Sequence, residues 1–433
     1  MYSSGRSRRR FRPTRVLGLL VVVAALVAVV LVVHHRHHPT TPSTSAAAPS
    51  STQTPGAAAP STLAASAGLT PPAIAAASYE LLDVRTGEVL VAKNPEQQIP
   101  PASLAKLMTF DLALRALADG RIHLTDPVPL GPGVRTLSRT PGLSNMYLDL
   151  PPNATVPLQQ LMLGMMVASG NDAALAVGEY VGGTASNFIA EMNAEAAKLG
   201  MTHTHFVNTN GINAPGQETT AADMAILARH IWLTYPTTYA QFTDVTTFTW
   251  QHITFHNYNQ LIGVDQAVTG MKSGYWGGVG YHLVTTAQQG QTELVGVVMG
   301  TASLGASAQI SQTLLNWGFA HFQDVTVPWS RALPPRGLRV WQAKSPSVGL
   351  HVTAQPWIVL PVSGSAAAAV QVRAVLPGYV RAPVEAGQVL GKVEATSGGK
   401  VVATAPVLAR GADPRGSVVA VLWGGFRLWL RTL

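Results

Sequence analysis

An unbroken run of 18 apolar residues near the N-terminus constrains this chain more than any other feature. The run spans Val16–Val33. At about 1.5 Å per residue, a helix of this length covers roughly 27 Å, close to the hydrocarbon thickness of a bilayer. Arginines are frequent in residues 1–15 and acidic residues are absent there, so the positive-inside rule places this basic segment in the cytoplasm. The sequence therefore predicts a transmembrane signal anchor at residues 16–33 and export of everything that follows.

The alternative for this segment is a cleaved signal peptide. Ala46, Ala47 and Ala48 offer small side chains at which cleavage can occur. An uncleaved anchor predicts a single-pass protein of the cell membrane whose catalytic part is extracytoplasmic, and cleavage predicts a secreted protein. Residues 34–72 are rich in Pro, Ser, Thr and Ala and predict a flexible linker that holds a folded domain away from the membrane.

Charge and cysteine content exclude several classes of function. The formal net charge is +8, but the first 38 residues hold seven arginines and no acid, so the remainder carries 8 − 7 = +1. A nearly neutral folded region gives no support to nucleic-acid binding. The chain has no cysteine, which excludes disulfides, thiolate metal sites and a cysteine nucleophile.

The first polar pair that indicates chemistry is Ser103 with Lys106. Apolar residues recur at helical spacing from Ala102 onward, after a predicted β-hairpin at residues 78–92. Positions three apart share a face of a helix, so the hydroxyl and the amine can meet. A lysine desolvated among apolar side chains can take the proton of a serine and activate it as a nucleophile. For Ser103 alone, a helix-capping role is the alternative.

Two further motifs follow in order. Ser169-Gly170-Asn171 lies 66 residues after Ser103, at the junction of two predicted helices, and Lys272-Ser273-Gly274 begins 103 residues later, near the end of a predicted strand. Each has a plain structural explanation when taken alone, as a helix cap or as a solvated lysine at a strand end. All three together, in this order and at these spacings, are typical of penicillin-recognising serine acyltransferases.

The segments around these motifs resemble the D-alanyl-D-alanine carboxypeptidases, the low-molecular-mass penicillin-binding proteins. The resemblance is carried by residues 101–109, 169–174, 204–208 with 211–212, 223–225, 257–261, and 270–275 with 280–281. It implies an α/β fold of the β-lactamase/transpeptidase type over residues 73–322. That fold has an antiparallel sheet with flanking helices and an all-helical subdomain.

The resemblance also implies a role for each motif residue. Ser103 would attack the carbonyl between two D-alanines, Lys106 would act as its general base, and Ser169 would pass a proton to the leaving amine. The remaining residues would bind substrate: Asn171 at an amide, Lys272 and Ser273 at the terminal carboxylate, and Gly274 and Tyr275 beside the reacting carbonyl. The backbone N–H groups of Ser103 and Tyr275 would form the oxyanion hole. No metal or organic cofactor is implied.

The implied substrate is a peptidoglycan stem peptide ending in D-Ala-D-Ala, with β-lactam antibiotics as covalent inhibitors. The usual family motif is Lys-Thr-Gly, and Ser273 keeps the hydroxyl but loses a methyl group that limits rotamers. We therefore expect activity with altered carboxylate affinity. The alternatives on this fold are a D,D-endopeptidase, a transpeptidase, a β-lactamase or a non-catalytic regulatory protein. A zinc site at His203 and His205 is a further alternative, which the family match of residues 204–208 explains as scaffold.

The last region, residues 325–433, shows short apolar runs separated by Pro and Gly. This pattern predicts a small all-β, sandwich-like domain, as many carboxypeptidases of this family carry. The terminal stretch from Leu422 to Arg431 is aromatic and basic. We expect a final β-strand there, because Gly424 and Gly425 disfavour a helix. The alternative is an amphipathic helix that binds a membrane.

Overall fold

The computed structural model of the chain describes residues 62–146, 150–152, 154–362 and 370–429. The predicted basic segment 1–15, the signal anchor 16–33 and most of the linker 34–72 lie outside the described residues. Among the helices that are described, none combines the length and the hydropathy needed to span a bilayer.

An antiparallel sheet of five strands forms the centre of the larger domain. The strands that precede the C-terminal region are β1 Ser78–Asp83, β2 Val89–Lys93, β3 Pro127–Pro129, β4 Thr155–Pro157, β5 Thr247–Trp250, β6 Ile253–His256, β7 Val268–Trp276, β8 Gly280–Gln289 and β9 Thr292–Thr301. The central sheet has the order β2-β1-β9-β8-β7, while β3 pairs with β4 and β5 with β6. The hairpin and the strand that carries Lys272, both predicted from the sequence, are therefore present.

Helices cover both faces of this sheet. They are α1 Leu63–Ser66, α2 Lys106–Ala118, α3 Pro132–Ser138, α4 Leu158–Met166, α5 Asn171–Gly182, α6 Ala185–Leu199, α7 Ala221–Thr234, α8 Ala240–Thr243 and α9 Leu304–His321. Side chains alternate along β9, so that Val295 and Val297 join the core shared with the helical subdomain, whereas Leu294 and Val298 pack with α9. The predicted arrangement of sheet, flanking helices and helical subdomain is confirmed.

The C-terminal region is mostly β-structure with its own core. Its strands are β10 Phe322–Thr326, β11 Leu338–Trp341, β12 Ser347–Val348, β13 Leu350–Val352, β14 Trp357–Pro361, β15 Gln371–Val375, β16 Val380–Arg381, β17 Val389–Ser397 and β18 Lys400–Ala409. A four-stranded sheet of order β13-β18-β17-β15 holds buried residues such as Val393 and Val407. The small all-β domain predicted from the sequence is confirmed.

The final β-strand predicted after Leu422 is wrong, because the chain forms a helix there, α10 Val418–Trp429. Two glycines cost a helix about 1 kcal/mol each, but apolar residues recur four positions apart at Val418, Leu422 and Phe426. That spacing is typical of a helix, but the prediction gave more weight to the two glycines. These side chains are exposed, and the rings of Trp423 and Phe426 stack at 5.8 Å one turn apart.

Candidate active site

Ser103 lies in a tight turn that leads directly into helix α2. The sequence predicts an α-helix from Ala102, but residues Ala102–Ala105 form a 3-10 turn and the α-helix begins at Lys106. Residues three apart eclipse one another in a 3-10 turn, which brings the two side chains into direct contact. The Lys106 Nζ lies 2.9 Å from the Ser103 Oγ. The predicted serine–lysine pair is therefore brought together.

Lys106 is completely buried. Its Nζ also donates to the Asn171 Oδ1 at 2.8 Å and to the backbone carbonyl of Asn210. Burial, reinforced by the charge of Lys272 and opposed by Asp172, lowers the pKa of Lys106 well below its usual value. A neutral amine has two N–H groups and one lone pair. Since two acceptors take the N–H groups, the lone pair is left for the Ser103 hydroxyl.

Ser169 and Lys272 form a second contact pair across the site. Ser169 lies between α4 and α5 with φ +55°, and its Oγ accepts a hydrogen bond from the Lys272 Nζ at 3.0 Å. The expected position of Lys272 near a strand end is wrong, because it lies in the middle of β7 and is 2% exposed. Burial lowers the pKa of Lys272 to about 7.

Asn171 begins helix α5 and joins three segments. Its Oδ1 accepts from Lys106, while its Nδ2 donates to the Ser144 carbonyl at 2.8 Å. This second bond fixes which end of the amide faces Lys106, since only the nitrogen can donate to a carbonyl. One N–H of Nδ2 remains for another acceptor.

These side chains border a cavity of about 370 Å³. Of the residues predicted from the sequence, Ser103, Ser169, Asn171, Ser273, Gly274 and Tyr275 line it. The two lysines lie buried beneath these lining residues. No motif in the sequence indicated a role for the other lining residues, which include Gly142, Leu143, Ser144, Asn213, Trp276 and Leu304. Tyr258 and Tyr281 also line the cavity; they fall in two of the family-like segments, which was the only signal for them.

Two glycines allow backbone segments to approach the nucleophile closely. A Cβ built on Gly211, which has φ +83°, would lie 1.7 Å from the carbonyl oxygen of Ala102. A Cβ on Gly274 would lie 3.1 Å from the Pro101 oxygen and 3.3 Å from the Ser103 nitrogen. The close approach at Gly211 lets the neighbouring Asn210 carbonyl accept a hydrogen bond from Lys106. The absence of a side chain at Gly274 keeps the space beside the Ser103 N–H open.

The histidines of the His203-Thr204-His205 stretch have separate partners. His203 Nδ1 lies 2.8 Å from the Glu96 Oε2, whereas His205 Nδ1 lies 2.9 Å from the Gly216 carbonyl oxygen. The stretch is not a continuous strand, and only His205 makes an isolated bridge, with Glu218. The i, i+2 spacing therefore does not correspond to a shared ligand site.

We predict that Gly211→Ala lowers the free energy of unfolding by about 3 kcal/mol, combining the left-handed backbone penalty with overpacking. Gly200→Ala is the matched control, because Gly200 has φ +82° and no atom within 4 Å of the added Cβ. It should cost only about 1 kcal/mol. Urea unfolding of the two variants measures the difference. Equal losses would show that the approach to Ala102 imposes no constraint.

A family model described as D-alanyl-D-alanine carboxypeptidase matches residues 65–303, and one described as penicillin-binding protein 5, C-terminal domain, matches residues 335–415. The D-alanyl-D-alanine carboxypeptidase DacA of Haemophilus influenzae is 34% identical over 371 residues, covering 84% of this chain and 92% of that protein.

Solved structures of penicillin-binding proteins are also similar to this chain. Penicillin binding protein 5 from Haemophilus influenzae superposes with a TM-score of 0.72 and 34% identity, over 80% of this chain and all of that one. Penicillin-binding protein D2 from Listeria monocytogenes, in its cefotaxime-bound form, gives a TM-score of 0.52 and 27% identity, over 58% of this chain and 99% of that one.

Proposed function

Because the chain belongs to the D-alanyl-D-alanine carboxypeptidase family, we propose that its reaction proceeds through an acyl-enzyme on Ser103. The chain is a serine-type D-Ala-D-Ala carboxypeptidase, a hydrolase. The observation that carries the proposed mechanism is the 2.9 Å contact between the Ser103 Oγ and the Lys106 Nζ. It joins a hydroxyl to an amine whose pKa is lowered well below its usual value by burial, which favours the neutral form that can accept a proton.

In the acylation step, the Ser103 Oγ attacks the carbonyl carbon of the penultimate D-alanine while its proton moves to the lone pair of Lys106. The carbonyl–nitrogen bond then breaks, and the proton that Lys106 took passes through the hydroxyl of Ser169 to the leaving amine of the terminal D-alanine. The Lys272 N–H bond to Ser169 supports this role because it orients the hydroxyl. Water hydrolyses the ester, and Ser103 recovers its proton. The steps need no metal or organic cofactor.

Substrate binding is proposed on the other polar groups of the cavity. The ammonium of Lys272 and the hydroxyl of Ser273 would bind the terminal carboxylate of a stem peptide. The remaining N–H of the Asn171 amide would bind a substrate carbonyl. The backbone N–H groups of Ser103 and Tyr275 would stabilise the oxyanion, and Gly274 leaves room for it. The carboxylate of a β-lactam antibiotic would bind in the same way, before Ser103 is acylated.

We predict that Ser103→Ala abolishes both release of D-alanine from a pentapeptide ending in D-Ala-D-Ala and the mass increase after penicillin treatment. Removing a nucleophile that acts with its base costs on the order of 10⁶-fold in kcat. Ser397→Ala is the matched control, because Ser397 belongs to a second Ser-x-x-Lys sequence at the β17–β18 turn. It should leave both readouts unchanged.

The same preparation separates the alternatives. Cleavage of a D,D-cross-linked dimer would indicate endopeptidase activity, transfer to an added amine would indicate transpeptidase activity, and rapid turnover of penicillin would indicate a β-lactamase. A folded wild-type protein that releases no D-alanine and forms no penicilloyl adduct would refute the proposed mechanism.

We predict that kcat/KM for the pentapeptide falls about tenfold per pH unit above pH 7. Lys272 is an ammonium below its pKa of about 7 and a neutral amine above it, and only the ammonium attracts a carboxylate. The control is the same peptide with its C-terminus amidated, which lacks the anion and should show no such decline. An identical decline for both peptides would assign the titration to another group.

We also propose that the enzyme is held at the cell membrane by residues 16–33, with its catalytic domain extracytoplasmic. The apolar run and the arginines before it support this arrangement. The exposed apolar residues of α10 offer a second contact with a bilayer.

Carbonate extraction of membranes tests which segment anchors the protein. The full chain should stay in the pellet, deletion of residues 1–33 behind a heterologous cleaved signal should release it, and deletion of residues 418–433 should not. A mature N-terminus after Ala48 with the protein in the medium would instead show a cleaved signal peptide.

A further inference from the structure

Three helices behind the catalytic centre bring an imidazole and two carboxylates together. Asp111 lies on α2, Glu195 on α6 and His230 on α7. One potential ligand atom from each lies within 4.8 Å of the other two. Asp111 and Glu195 are buried, and His230 is partly exposed, so the group is accessible from solvent on one side. None of the three residues takes part in the mechanism proposed above.

Asp111 is the unusual member of this cluster. It is 1% exposed, and neither of its carboxylate oxygens has a hydrogen-bond partner among the described residues. A buried carboxyl group without a hydrogen-bond partner is costly, so native proteins seldom contain one unless an ion or an ordered water occupies the site. An ion bound at the cluster would satisfy the Asp111 carboxyl group.

The separation of the ligand atoms matches a metal site. The Asp111 Oδ1 lies 3.3 Å from the His230 Nε2, without hydrogen-bond geometry. Two ligands at about 2.1 Å from one ion in a tetrahedral arrangement are about 3.4 Å apart. The two atoms therefore already have the spacing at which both can bind a single ion.

The local charge also favours a cation. The Glu195 carboxylate forms ion pairs with Arg115 at 2.6 Å and with Lys198 at 2.9 Å. Arg115 also lies 3.6 Å from the Glu191 carboxylate. The three carboxylates of Asp111, Glu191 and Glu195 exceed the two cations, Arg115 and Lys198, by one. Each carboxylate oxygen of Glu195 accepts one of these bonds and keeps a second lone pair for a metal.

From this geometry we infer that Asp111, Glu195 and His230 bind a divalent first-row transition-metal ion. Two carboxylates and one imidazole suit Mn²⁺ or Zn²⁺. The ion connects α2, α6 and α7, and α2 begins with Lys106. It therefore stabilises the helical layer behind the nucleophile without touching substrate.

This binding is measured by titrating the metal-free full chain with Mn²⁺. The EPR signal of the free ion reports how much Mn²⁺ remains unbound. Mn²⁺ is chosen because it binds imidazole least tightly of the divalent first-row transition-metal ions, so histidines 34, 35, 37 and 38 interfere little. We expect one ion per wild-type chain and a rise in the thermal midpoint. Asp111→Asn and His230→Gln should each weaken binding by more than about 100-fold and abolish that rise.

The matched controls are Asp119→Asn, an exposed aspartate next to α2, and His203→Gln, a histidine paired with a surface glutamate. Both should bind Mn²⁺ like the wild type. Zn²⁺ stoichiometry by mass spectrometry provides a second readout, lower by one ion in Asp111→Asn than in Asp119→Asn. The inference would be overturned if all variants bound Mn²⁺ and Zn²⁺ equally, or if a folded wild type bound no Mn²⁺. Asp111 and His230 would then form only an ion pair.

Discussion

The rest of the site depends on the hydrogen bonds of the buried Lys106 amine. Removing an ammonium from water costs several kcal/mol even after the protein relaxes, so this residue is held as an amine whose hydrogen bonds must all be met internally. Its partners come from three separate segments, at Ser103, Asn171 and Asn210. The nucleophile turn, the start of α5 and the loop before Gly211 can therefore adopt only the arrangement in which they meet at one nitrogen.

This requirement explains the unusual backbone around the site. Ala102 has φ +48° and Ser169 has φ +55°, and a non-glycine residue in this region costs about 1–3 kcal/mol. Neither residue has a local reason to adopt such a conformation. The buried apolar residues of α2 and α4 on either side offset the cost, and the two turns present their serine side chains to the same cavity.

Local patterns in the sequence predicted the elements, whereas contacts between distant segments were not predictable. The hairpin pattern of residues 78–92 and the spacing of Ser103 and Lys106 are local, so the first strands of the sheet and the first pair were found. The Asn210 carbonyl is a backbone group in an irregular loop and has no sequence signature. Residues 111, 195 and 230 come from three helices, each of which reads as ordinary apolar packing. Taken alone, Lys272 could equally be a solvated lysine, because its own strand does not reveal that it contacts Ser169.

Charge burial also determines how the C-terminal domain joins the catalytic domain. Arg85, just after β1, lies 2.7 Å from Glu293 and 3.4 Å from the Asp324 of β10, and its guanidinium lies 4.2 Å from the centre of the Trp357 ring. Burial and the neighbouring Asp83 raise the pKa of Asp324 to about 8, so a protonated carboxyl can lie beside a second one. One arginine then balances Glu293 while stacking on an aromatic ring. Buried charges of this kind add little net stability, because the cost of removing them from water offsets their mutual attraction.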